Sequence, residues 1–198
     1  MRPFFVPCGG MEGMAQMAPE AHPELELAAA VRHPVSGLTA DAVPRAPGLY
    51  AWWPRDGPDH PVYVGRALGQ RGLRGRIWGQ HLRPTYLEPR PEKATARDAA
   101  QLLHGVVDGK GRPVVEKSAF RKSVARAHVL APGAPTVAWI SERYVVSWVT
   151  LEELGIDVDR AKRLEAVLIT VWRPRYNARG FRRPVVDEPA AAARPVDE

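Results

Sequence analysis

The sequence predicts an α+β protein: a small three-stranded antiparallel sheet flanked by helices, with an extra helical insert. Three observations predict it. Two short segments rich in apolar and aromatic residues, 48–53 and 61–66, flank Arg55-Asp56-Gly57-Pro58-Asp59-His60, and the Asp-Gly step there is a hairpin signal. A third segment, Val137 to Val149, is rich in Trp, Val and Tyr and reads as the remaining core strand. Between and after these lie helical stretches, the longest from Val158 to Trp172, stopping before Pro174.

Taken in order, residues 1–35 carry Gly, Met, Pro and Ala without sustained periodicity, apart from a short helical stretch around Pro23 to Val31. They read as a mobile N-terminal arm, dispensable for stability. The domain proper spans 36–184. After the hairpin, a helix is expected over 73–83. Residues 84–92 are Pro-rich and read as loop. Ala94 to Val107 and Ser118 to Val129 read as helices separated by Gly109-Lys110-Gly111-Arg112-Pro113, so an insert occupies about 84–136. Thr150 to Glu153 fits a capping box. Residues 185–198 are Pro, Ala and acid, and read as a mobile acidic tail.

A length of 198 residues favours one domain with extensions. No apolar run of about 18 residues occurs, and Met1 to Gly10 lacks the pattern of a secretory signal. The single cysteine, Cys8, argues against a disulfide framework or a cysteine-based metal site, and a cytoplasmic setting is expected. Net charge is +6, unevenly spread: residues 48–184 hold 24 basic and 13 acidic groups, while both flanks are net acidic. Such a basic centre points to a polyanion, since phosphate contacts dominate nucleic-acid affinity; a solvated arginine-rich surface is the plainer alternative. No basic amphipathic helix with an apolar stripe suggests a membrane surface.

The hairpin carries Gly48-Leu49-Tyr50 on one strand and Tyr63-Val64-Gly65 on the next. Downstream come Arg76 in Leu73-Arg74-Gly75-Arg76-Ile77, then His81, Glu165 within the last helix, and Arg173-Pro174-Arg175-Tyr176-Asn177. In this order the pieces resemble the GIY-YIG nuclease superfamily, over roughly residues 45 to 182. Departures are Leu49 for the usual Ile or Val, a few extra residues before Arg76, and the long insert after His81. The extra residues leave Arg74 as a rival to Arg76, which directly precedes the apolar Ile77. The insert makes the chain look more like stand-alone or restriction-type members than minimal repair modules.

The resemblance implies a DNA endonuclease using Mg²⁺ or Mn²⁺ and leaving 5′-phosphate and 3′-hydroxyl ends. It casts Tyr50 as general base or water-orienting group, Tyr63 as a hydrogen-bond partner of phosphate or nucleophile, and Arg76 as the counter-charge to the phosphorane. His81 would assist proton transfer, and Glu165 would hold the metal. Asn177 would tie the loop after the helix to the core, and Gly65 would allow close approach. Arg66, Arg71, Arg74 and Arg83, with Lys117, Arg121 and Lys122 of the insert, are the expected nucleic-acid contacts. Without the other motifs, Glu165 reads as a surface carboxylate paired with Lys162 or reaching solvent, and the basic insert is open to a packing role. A phenol titrates near ~10, so a base role for Tyr50 needs a lowered pKa. A catalytically degenerate nucleic-acid-binding module of the same fold is the alternative.

Overall fold

The computed structural model describes residues 23–89 and 96–177. The first 22 residues of the expected arm and the acidic tail lie outside the described residues. Four strands make the main sheet: β1 (His33–Pro34), β2 (Gly48–Pro54), β3 (Tyr63–Ala67) and β6 (Tyr144–Thr150), in the order β1-β6-β2-β3 and antiparallel throughout. The sheet therefore has four strands, not three. The fourth comes from the expected arm, where β1 pairs with the β6 residues Val145 and Val146. α1 (Pro23–Ala29) is the helix anticipated near Pro23, and its Leu27 is completely buried. Residues 23–35 are thus docked, because Leu27 covers the sheet and His33 stacks on Trp148 with ring centroids 4.1 Å apart.

Alternation along the strands gives the sheet two different faces. Tyr50, Trp52, Tyr63, Ala67, Tyr144 and Val146 pack one face against Leu73, Ile77 and Phe120. Leu49, Ala51, Trp53, Val64, Val145 and Val149 pack the other against α6 (Val158–Trp172) and α1. α6 is the helix read from the sequence, capped by Asp157, whose side chain accepts from the Arg160 N–H at 2.7 Å. Ala161, Leu164, Leu168, Ile169 and Trp172 form its sheet-facing stripe. Thr150 and Glu153 exchange the hydrogen bonds of a capping box, Glu153 N–H to Thr150 Oγ1 at 3.2 Å and Thr150 N–H to Glu153 Oε2 at 2.7 Å, but on a turn rather than a helix.

Two expectations for the middle of the chain change. The segment 137–149 divides into α5 (Ala134–Arg143), which has proline in its first turn, and β6, with no loop between. Thr136 and Ile140, four apart and buried, carry the helical period that the aromatic content masked. The insert is not wholly helical. Leu87–Pro89 (β4), expected as loop, pairs with Val114–Glu116 (β5), and this two-stranded ribbon sits beside α3 (Ala96–Leu102) and α4 (Ala119–Ala127). The pairing joins segments more than twenty residues apart, so no local pattern announces it.

Because Leu27 is sealed between α1 and the sheet, Leu27→Ala should cost about 2–5 kcal/mol. Urea unfolding checks this; an unchanged midpoint would return residues 23–35 to the status of a loose arm.

Candidate active site

The helix after β3 is not a plain α-helix. α2 (Gly72–Arg76) passes into a π turn over Ile77–His81, closed by Leu82 N–H donating to the Ile77 carbonyl at 3.0 Å. In a regular α-helix, residues five apart point about 140° away from each other. The wider i→i+5 turn cancels most of that offset, as such turns do at functional sites. Arg76 and His81 consequently converge on the same phenol, Tyr50. Its hydroxyl lies 2.8 Å from His81 Nε2, and the Arg76 charge and the Tyr63 phenol both act on its ionisation. The rings of Tyr50 and Tyr63 have centroids 6.3 Å apart.

Gly65 makes this possible. It sits directly across from Tyr50 in the β2–β3 register, and a Cβ on it would strike the Tyr50 ring and hydroxyl. Beyond Tyr50, His81 reaches Ser118 of the insert through Nδ1, 2.7 Å from Ser118 Oγ. Tyr50 is fully buried and His81 is 1% exposed. Burial pushes the Tyr50 phenol well above its usual range, Tyr63 adds to the rise, and Arg76 offsets only part of it. The lowered pKa that a simple tyrosine base requires is therefore absent. Burial, reinforced by Arg76 and Arg121, holds His81 well below its ordinary 6.5, so the ring is neutral.

Above this buried cluster, a groove of about 650 Å³ runs over the end of β3. Among the described residues, Arg66, Arg71, Arg76 and Arg83 line it together with Tyr86 and one carboxylate, Glu165. Glu165 arrives from the other face of the sheet, on α6, and is ion-paired with Arg66. Lys162, the partner open to Glu165 on spacing, instead pairs with Asp159 at 2.8 Å. Arg76 donates to Gln80 Oε1, while its buried Nε has no hydrogen-bond partner among the described residues. That leaves a desolvated donor unspent in a cationic groove.

Asn177 acts through backbone. Its Oδ1 accepts from Val64 N–H at 2.7 Å and its Nδ2 donates to Val64 C=O at 2.6 Å, occupying both polar groups on the free edge of β3. Comparison with known proteins returns no matching family model, no matching curated protein and no matching solved structure.

The remaining expected contacts separate into two groups. Arg71 and Arg83 reach the groove, and Lys117 lies over the Tyr86 ring at 5.3 Å beside it. Arg74 does not; it donates to Asp41 Oδ1 and the Val43 carbonyl, both at 2.9 Å, which leaves Arg76 as the arginine at the tyrosine pair. Lys122 is tied to Glu88 at 2.6 Å. Arg121 is a correction: it is completely buried, paired with buried Glu116, and donates to the carbonyls of Gln80, Arg83 and Pro84. Its two terminal nitrogens lock the insert onto the end of the π turn instead of meeting phosphate. Among the described residues no group of three or more His, Cys, Asp or Glu gathers. Sequence reasoning missed Gln80, Tyr86 and Ser118; Gln80 alone carried a local signal, its i+4 spacing from Arg76.

Two measurements follow from this geometry. Gly65→Ala should force the Tyr50 ring aside, destabilising the fold by about 1–3 kcal/mol in urea and weakening the Tyr50–His81 hydrogen bond. A silent Gly65→Ala would show that the ring has room. Below pH 6.5 the unfolded chain protonates at His81 while the folded chain does not, so stability should fall as pH drops through that value toward the depressed folded pKa. Urea midpoints between about pH 5 and 7 should show this slope, and His81→Gln should flatten it.

Proposed function

We propose that this protein is a metal-dependent DNA endonuclease of the GIY-YIG type, hydrolysing phosphodiester bonds to 5′-phosphate and 3′-hydroxyl ends. The observation that carries the reading is convergence. Tyr50, Tyr63, Arg76 and His81, drawn from β2, β3 and the α2–π helix, meet beneath a groove whose single acidic lining residue among the described residues, Glu165, comes from α6. Among the described residues, one carboxylate and four arginines share this open groove, and only Arg66 is ion-paired with that carboxylate. A phosphodiester backbone satisfies both signs, with the arginines on its oxygens and the carboxylate on a cation.

The donor set fits Mg²⁺ or Mn²⁺. A hard cation is commonly held by one carboxylate plus waters and substrate phosphate oxygens, and Glu165 is only partly buried at the groove wall. When bound, the cation neutralises charge on the scissile phosphate and the departing oxygen. Arg71 and Arg83 hold the flanking backbone. Arg76, with its unspent Nε–H, meets the charge that grows on the phosphorane.

The raised pKa of Tyr50 constrains how water is activated. Drawing Arg76 outward to the phosphate uncovers one side of the Tyr50 oxygen for the attacking water, with Tyr63 orienting it. The water proton passes to the Tyr50 oxygen while the Tyr50 proton passes to His81 Nε2, so a phenolate never accumulates. The imidazolium so formed is disfavoured beside Arg76 and Arg121, and the negative charge of the bound diester offsets that penalty.

A binding module with a silent site is the second reading. Its support is the full burial of Tyr50 and the engagement of Glu165 by Arg66. Nicking of supercoiled plasmid with Mg²⁺, with and without chelator, separates the two. Glu165→Gln should lower cleavage by about 10³-fold or more while DNA affinity holds or rises, and Arg76→Ala should lower both. Near wild-type cleavage by Glu165→Gln in Mg²⁺ would remove the metal assignment.

A further inference from the structure

We propose that Ser118, supplied by the insert, is a positioning residue: its Oγ accepts the Nδ1–H of His81 and so keeps Nε2 bare toward the Tyr50 hydroxyl. The inference deepens the nuclease reading and takes its catalytic meaning from it. A neutral imidazole has one N–H, and here both ring nitrogens are engaged, with Tyr50 at 2.8 Å and Ser118 at 2.7 Å. With the ring 1% exposed, the two side-chain partners decide which nitrogen carries the hydrogen.

Ser118 is suited to the acceptor role by its place in the fold. It is the N-cap of α4, and its oxygen already accepts from the Arg121 N–H at 3.4 Å, with lone pairs turned toward donors. On the other side of the ring, the Tyr50 hydroxyl lies 2.8 Å from Nε2 and can donate its own hydrogen there. Ser118 is held rigidly by the buried pair Glu116–Arg121, two residues before and three after it. The insert is then more than an elaboration of the fold, because it sets the direction in which a proton can leave Tyr50.

The tautomer can be read directly by ¹⁵N NMR of the histidine ring in the full-length protein. Expected are a protonated Nδ1 and bare Nε2 for His81 in the wild type, the same in Ser118→Thr, and loss of that preference in Ser118→Ala. Plasmid nicking should fall by about 10²-fold in Ser118→Ala and recover in Ser118→Thr. Thermal melting of each variant shows whether the fold survives loss of the cap. The opposite tautomer in the wild type, with Ser118 donating into Nδ1, overturns the proposal without any variant. So does an unchanged tautomer in Ser118→Ala. If the wild type has the expected tautomer but cuts no plasmid, the nuclease reading fails and the positioning role fails with it. Nicking with the wrong tautomer defeats the Ser118 proposal alone.

Discussion

The Tyr50 side chain lies flat across the backbone of Gly65, fully buried, and a hydroxyl in that position must be hydrogen-bonded. Much of the molecule is arranged around this requirement. The neighbouring strand must offer a residue without a side chain. The following helix must bring His81 and Arg76 to the same phenol, which a regular α-helix cannot do and a π turn can. His81 in turn needs a partner for its second nitrogen, and the insert provides Ser118. Arg121 then clamps the insert to the carbonyls at the end of that turn.

The sheet divides the labour between its faces. One face holds the buried phenols and imidazole, and the opposite face carries α6 with Glu165. They meet only where β3 ends, because β3 is the outermost strand and the groove passes over its tip. An exposed strand edge invites pairing with another chain. Here Asn177 occupies both polar groups of Val64 and blunts the edge beside the groove.

How much of this was legible in the sequence follows from the range of each interaction. The hairpin of β2 and β3, the helix 158–172 and the Thr150–Glu153 exchange are local, and their residues announce them. Arg76, His81 and Glu165 were identifiable as candidates; Arg76 and Glu165 line one groove, and His81 lies buried against Tyr50. What stayed hidden depends on distant partners. Ser118 meets His81 from 37 residues away, β4 finds β5 across α3, and β1 adds to a strand more than a hundred residues later. Arg121 looked like one more surface cation in a basic run, and only the buried Glu116 and three carbonyls explain it. α5 was concealed by composition, since Val, Trp and Ile suit either period.

The sheet order has a further consequence for how the chain is made. β6 lies between β1 and β2, yet it is the last strand in sequence, and Asn177 follows it only after the whole of α6. During synthesis the β2–β3 hairpin therefore emerges with both edges open, and residues 68–143 are made before β6 covers the first of them. Such long-range closure is slow, and an unfinished apolar hairpin is prone to wrong pairing. The insert is made in that interval, and α4 and the π turn can dock on the hairpin through Phe120, Tyr63 and Trp52 before β6 exists. The same segment that completes the site is thus placed in the chain where it can act as an internal chaperone for it.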